Sequence, residues 1–249
     1  MPYGMYLSAD GAIAQQTRLE TIANNMANVD TLGFKRELAV FQARAAESIQ
    51  RGLEMPGDGG MNDLGGGTMI RQTKTDHSAG PMKRTGTPSD VAITGDGFFL
   101  AEKGDKQYLT RAGNFTLNER GELVTSQGYK VLSDSGSPIV INPNVRYEIS
   151  SSGGIRQQGS TPQNLALVRP NSLGDLAKAG ENLFRPLADV QPLSANERQV
   201  ASGFLEGSGV KPTSEMVHLI ETTRAIEANV NLLQTQDQML SGLVNRLLR

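Results

Sequence analysis

The stretch Ala-Asn-Asn-Met-Ala-Asn-Val-Asp-Thr-Leu-Gly-Phe-Lys-Arg, residues 23–36, decides how the chain reads. Asn24, Asn25 and Asn28 sit where the surrounding pattern calls for a helix. Asparagine is a mediocre helix former, because its side chain competes for backbone hydrogen bonds. Upstream, Leu19, Ile22, Met26 and Val29 fall on the a and d positions of a heptad. A solvated helix face carries Lys, Glu and Arg. This one carries Ala23, Asn24, Ala27 and Asn28, small or amide-bearing residues that suit close helix approach with lateral hydrogen bonds. The pattern predicts a helix continuing toward Lys35, with Gly33 as its stop.

The C-terminus mirrors this. From about Thr213 the chain reads as one long helix, roughly 55 Å at 1.5 Å per residue. Pro212 precedes it, and Thr213 or Ser214 is the expected cap. Glu215 occupies the first turn and Arg246 and Arg249 the last, as the helix dipole favours. Met216, Leu219, Thr223, Ile226, Val230, Leu233, Asp237, Leu240, Val244 and Leu247 hold a 3.5-residue period, the pattern of a helix that pairs with another. The N-terminal helix is the expected partner. The outer face is again rich in amides, among them Asn229, Asn231 and Gln234.

Between the termini the grammar changes. The segment Gly-Leu-Glu-Met-Pro-Gly-Asp-Gly-Gly-Met-Asn-Asp-Leu-Gly-Gly-Gly, residues 52–67, has the composition of a flexible loop. Short alternating runs follow at Val91 and Ile93, Phe98 to Ala101, Tyr108 to Thr110, Phe115 and Leu117, Leu123 and Val124, Lys130 to Leu132, and Ile139 to Ile141. Turns rich in Gly, Asn and Asp separate them, and such alternation predicts antiparallel strands. The fold class expected is therefore α+β, with paired terminal helices in a coiled-coil arrangement and an inserted antiparallel β domain. The expected parts are helix and turn at 1–36, an extended linker with the glycine-rich loop at 37–92, the β domain at 93–200, a return linker at 201–212 and the C-terminal helix at 213–249.

Composition narrows the function. The 249 residues carry a net charge of −2, which gives no global attraction to nucleic acid. There is no cysteine, which excludes disulfides, thiolate metal sites and a cysteine nucleophile. No apolar run reaches the roughly 18 residues of a membrane span. The N-terminus lacks the basic and apolar segments of a cleaved signal peptide. His77 and His218 make no metal spacing, and the consecutive Asp76, His77 and Ser78 are not triad geometry. Gly95-Asp96-Gly97 reads as a β-turn, not a phosphate cradle. No enzyme, cofactor, metal, nucleic acid or small-molecule substrate is expected.

Several separated motifs resemble, in order, those of the bacterial flagellar rod and hook proteins. They are residues 23–36 quoted above, Gly-Asp-Gly-Phe-Phe at 95–99, residues 108–132, Gly-Phe-Leu-Glu-Gly-Ser-Gly-Val at 203–210, and the helix around residues 224–240. Met26 stands where leucine is usual, Gly209 where asparagine is common, and Ile226 where an aromatic is common. The resemblance implies a structural subunit of the basal-body rod, polymerising with itself and other rod subunits into the axial tube that transmits torque from motor to hook. It implies paired terminal helices lining the tube, a β domain outside them, delivery by the flagellar type III export apparatus and assembly in the periplasm. Chain length favours a proximal-rod member, with a distal-rod member second; a hook protein or a soluble coiled-coil adaptor ranks lower. On this reading Leu19, Ile22, Met26, Val29, Met216, Leu219, Ile226, Val230, Leu233 and Leu240 form the helix-pairing seam. Asn24, Asn25, Asn28, Asn229, Asn231 and Gln234 are the expected subunit contacts, since amides bond laterally without the desolvation cost of charges.

Overall fold

The computed structural model describes residues 3–45, 49, 51–53, 55, 65–104 and 106–247. The chain is α+β, with a helix near each terminus and a β-rich middle. It divides into two compact units: Met1–Ala27, Glu37–Asp76 and Lys211–Arg249 form the first, Asn28–Arg36 and His77–Val210 the second.

The first unit holds helix α1, Tyr3–Ala27, and helix α2, Pro212–Leu247. They pack on each other, and α1 also packs on an antiparallel hairpin of Glu37–Ala43 and Thr68–Thr75. That hairpin lies in the stretch expected as an extended linker. Its first strand, Glu-Leu-Ala-Val-Phe-Gln-Ala, is built largely of residues without strong β preference. Packing against α1 supplies what propensity does not, and the Arg18 guanidinium sits 5.9 Å from the Phe41 ring centroid.

Both helix ends differ from the sequence expectation. α1 stops at Ala27 instead of running on to Gly33. The Asn28 carbonyl accepts from the Thr31 backbone N–H at 3.2 Å and its side chain from the Thr31 hydroxyl at 3.2 Å, which closes a turn at that point. α2 begins at Pro212, with the Lys211 carbonyl accepting from the Glu215 N–H at 3.1 Å, so Thr213 and Ser214 lie inside the first turn and do not cap it. Proline suits the first helical position because an N–H there would have no partner. Arg249, expected in the last turn, lies outside the described residues, as does the glycine-rich loop of residues 57–67 except for Gly65 to Gly67.

The second unit is antiparallel throughout. Its central strand, Phe98–Lys103, pairs with Lys106–Thr110, Lys130–Val131 and Leu167–Pro170. Successive side chains on a strand point to opposite faces. Phe98 and Leu100 therefore join one core cluster, with Leu109, Leu132 and Phe184, while Phe99 joins the other, with Val91, Phe115, Leu123 and Ile139. Phe99 meets Phe115 edge-on at 5.1 Å between centroids. Strands form at Val91–Ile93, Thr116–Leu117 and Leu123–Val124 close to where the alternation places them. The run at Ile139 to Ile141 forms no regular strand, but Val140 bridges Glu122 and the Ile139 carbonyl accepts from the Leu123 N–H at 2.8 Å. Short sheets complete the unit, among them Val91–Ile93 with Val200–Ser202 and Met82–Arg84 with Phe204–Glu206.

Candidate functional site

α1 and α2 run antiparallel: Gly4 faces Gln236 and Gly11 faces Asn229, so seven residues up one helix match seven down the other. A Cβ on Gly4 would stand 3.0 Å from the Gln236 amide nitrogen, and one on Gly11 would stand 3.4 Å from that of Asn229. The glycines open room at these layers for an amide side chain.

The expected seam residues divide accordingly. Ile22 is buried, and Leu19, Met26, Leu219, Ile226, Leu233 and Leu240 are half-buried. Val29, in the turn after α1, is also half-buried. Met216 and Val230 are exposed, at 51% and 39%. Alternating with the leucine–isoleucine stripe, the covered positions fall one residue earlier, at Glu215, Thr222, Asn229 and Gln236. Thr222 is fully buried, and its hydroxyl donates to the His218 carbonyl at 2.7 Å within its own helix.

The expected subunit-contact amides divide too. Asn25 is buried and works within the first unit: its side chain donates to the Glu37 carbonyl at 2.8 Å and accepts from the Glu37 N–H at 2.9 Å. Asn28 serves the turn after α1, and Asn229 faces Gly11. Asn24, Asn231 and Gln234 reach the surface. Large apolar side chains stand exposed on both helices, including Ile13, Ile220, Leu232 and Met239, all above 50%.

The second unit holds a buried charge cluster that the residue pattern did not reveal. Lys35 Nζ lies 2.7 Å from Glu206 Oε1 and donates to the Ser78 carbonyl at 2.8 Å. The Gly80 N–H donates to the same carboxylate oxygen at 2.8 Å, and Arg111 Nη1 lies 3.4 Å from Glu206 Oε2. Arg111 also donates to the carbonyls of Ile93 and Gly95. Burial pushes its pKa below the ordinary arginine value, and the Glu206 carboxylate opposes that shift. Backbone bonds tie the same segments: Gly33 N–H to the Glu206 carbonyl at 2.8 Å and Gly209 N–H to the Phe34 carbonyl at 2.9 Å. Gly33 has φ +67°, and a Cβ there would come within 2.6 Å of the Ala112 nitrogen. Each charged member stands in a different motif, in Gly-Phe-Lys-Arg, Leu-Thr-Arg-Ala-Gly and Phe-Leu-Glu-Gly-Ser-Gly. Arg111 and Glu206, each a single charge beside glycine and apolar residues, were the available signal; the pairing of such distant charges was not.

Several titratable groups outside this cluster have structural partners. His77 meets Phe98 edge-on at 5.8 Å between centroids and lies tilted against Phe184 at 5.3 Å. His218 Nδ1 lies 3.4 Å from Glu221. The Glu181 carboxyl is held below the usual glutamate range by hydrogen bonds from Lys103 and Tyr129. Among the described residues no group of three His, Asp or Glu could hold a metal ion.

Comparison with known proteins matches three family models in chain order: a flagellar basal body rod protein model over residues 5–35, a flagellar hook protein FlgE/F/G D1 domain over residues 92–157, and a flagellar basal body rod FlgEFG protein C-terminal model over residues 201–247. The chain is 34% identical to the flagellar basal-body rod protein FlgG of Bacillus subtilis, with 97% of each chain covered. It is 32% identical to FlgF of Caulobacter vibrioides over 99% of this chain and 98% of that one. It is 34% identical to FlgG of Borreliella burgdorferi over the full length of both.

Proposed function

Since this chain belongs to the flagellar basal-body rod FlgE/F/G family and is a structural subunit of that rod, we propose that its terminal helices are the part that polymerises, winding as a coiled coil to line the axial tube that carries torque from motor to hook. The observation that carries this is the apolar surface on α1 and α2 that remains exposed after the two helices have packed on each other. Met216 and Val230 belong to the period expected of a seam yet stand open in the single chain, which suits burial against neighbouring copies. The surface amides Asn24, Asn231 and Gln234 are the lateral contacts in this arrangement.

Within the rod we place the chain in the proximal, FlgF-like segment, with the distal, FlgG-like segment as the second reading. Length supports the first. The match to the Caulobacter FlgF runs over 248 positions, whereas that to the Borreliella FlgG needs 266, more than the 249 residues of this chain. Delivery by the flagellar type III export apparatus and assembly in the periplasm complete the proposal. The test is electron cryo-microscopy of basal bodies from the source organism, with a deletion strain as control. Side-chain density for this chain next to the motor end supports the proximal assignment. Density near the hook replaces it with the distal one, and basal bodies lacking the chain overturn the reading.

A further inference from the structure

α2 is longer than α1, at 36 residues against 25, and the excess lies at one end. Gly4, near the start of α1, faces Gln236. Residues 238–247 therefore project past the first residue of α1, a length of about 15 Å. This overhang carries Met239, Leu243 and Val244 at 58%, 55% and 52% exposure, and Arg246 in the last turn. Elsewhere in the same unit an open groove of about 560 Å³ lies between α1 and the hairpin, lined by Ile13, Ala14, Thr17, Met69 and Ile70. Ile13 and Met69 are exposed at 62% and 47%. Asp10 and Arg44 also line it, loosely paired at 3.9 Å and partly exposed.

We propose that the α2 overhang of one copy docks in the α1–hairpin groove of a second copy, with Leu243 against Ile13 and Met69, and Arg246 reaching Asp10. This rests on the rod reading and names the two surfaces that meet. The groove cannot take the overhang of its own chain. Continuing the pairing of Gly11 with Asn229 places Ile13 level with Glu227, and Leu243 lies sixteen residues further along α2, roughly 24 Å away. Donor and acceptor are different surfaces, so the contact is heterologous and propagates from copy to copy without closing on itself. A subunit of a helical polymer needs a contact of that class. The overhang's cation meets a groove acid whose present partner is distant, which gives the charge match.

The absence of cysteine in the chain makes the test clean. Cells carrying Ile13→Cys together with Leu243→Cys in place of the native chain are oxidised, and their basal bodies are run on non-reducing gels. Disulfide-linked dimers and larger ladders are expected. Linkage within one chain is excluded, since bridged Cα atoms must lie within about 7 Å. The pair Ile13→Cys with Met216→Cys, at the other end of α2, should give only monomer. Equal linkage in both pairs, or monomer only from the first pair in basal bodies that contain the chain, overturns the docking while leaving the rod reading intact. Native basal bodies without the chain overturn both. A second variant guards against a cysteine pair that fails to assemble: Leu243→Asp should cut incorporation into basal bodies at least tenfold, while Leu187→Asp, at an exposed position of the β-rich unit, should not. Equal incorporation of the two would also overturn the docking.

Discussion

The strand Phe98–Lys103 and the helix α2 are both rich in large apolar residues, yet the chain treats them in opposite ways. Phe98, Phe99 and Leu100 are all buried, each in one of two closed clusters. On α2, Met216, Val217, Ile220, Leu232 and Leu243 all stand more than half exposed. Burying a side chain of this size is worth about 1.5–3 kcal/mol. The β-rich unit collects that free energy when the single chain folds. The helical unit leaves much of it unrealised in the single chain; under the proposed assembly it becomes stability that depends on partner concentration. Apolar content by itself does not say which of the two a segment is for; what matters is whether one chain can cover it.

The comparison breaks most visibly at Glu206. Glu206→Ala leaves Lys35 and Arg111 buried without their carboxylate, a change of the kind that costs about 3–5 kcal/mol. Denaturant unfolding followed by the β signal should show that loss, and a shift below about 1 kcal/mol would mean the cluster does not hold the unit together. Next comes Asn25→Ala, which strips both bonds from the Glu37 backbone and should cost the helical unit about 1–3 kcal/mol, read from the helical signal. Val230→Asp should change the stability of the free chain by no more than about 0.5 kcal/mol, because the side chain is already open to water. It should nevertheless abolish swimming, and normal motility would remove Val230 from the assembly surface. Hydrogen exchange of the free chain refines the contrast: amides of residues 221–240 should exchange faster than those of Phe98–Lys103, and equal protection would erase the distinction.

The smallest effect is expected at Glu181. Its folded pKa is depressed by Lys103 and Tyr129, so its contribution is complete above the ordinary glutamate pKa and fades as pH falls through the depressed value. Glu181→Gln should therefore lower the unfolding midpoint slightly at neutral pH and not at all in strong acid. Lys103 and Glu181 are exposed and Tyr129 is half-buried, so solvent keeps the effect small.

Much of this architecture was legible in the residues. The 3.5-residue period pointed to both helices, though not to their ends, and alternation between turn residues placed the strands from Val91 to Val131. What escaped had physical causes. The hairpin of Glu37–Ala43 and Thr68–Thr75 depends on contact with α1, which local preference does not encode. The one-residue offset between Met216 and Glu215, or Val230 and Asn229, is more instructive. Hydrophobicity points to Met216 and Val230 as the inward positions, whereas the single chain covers Glu215 and Asn229. Two patterns are superimposed on one helix: one covered by α1, the other exposed in the single chain and assigned by the proposal to neighbouring copies. Reading by hydrophobicity returns their sum. The charge cluster escaped because Lys35 and Glu206 are 171 residues apart, and no local pattern links residues so distant.

The paired backbone bonds at Gly33–Glu206 and Phe34–Gly209 have a consequence for how the helices find each other. By sequence, α1 and α2 are the two ends of a tether of about 180 residues, and closing a loop that long carries an entropy cost that grows with the logarithm of its length. Once the β-rich unit has folded, those bonds hold the outgoing and returning strands of the chain side by side. The tether then shrinks to the dozen or so residues outside the clamp. The logarithmic rule makes this worth roughly 2 kcal/mol, a rise of more than tenfold in the local concentration of one helix around the other. The β-rich unit thus acts as a buckle, and a foreign module with ends equally close could be spliced in its place without loosening the helical pair.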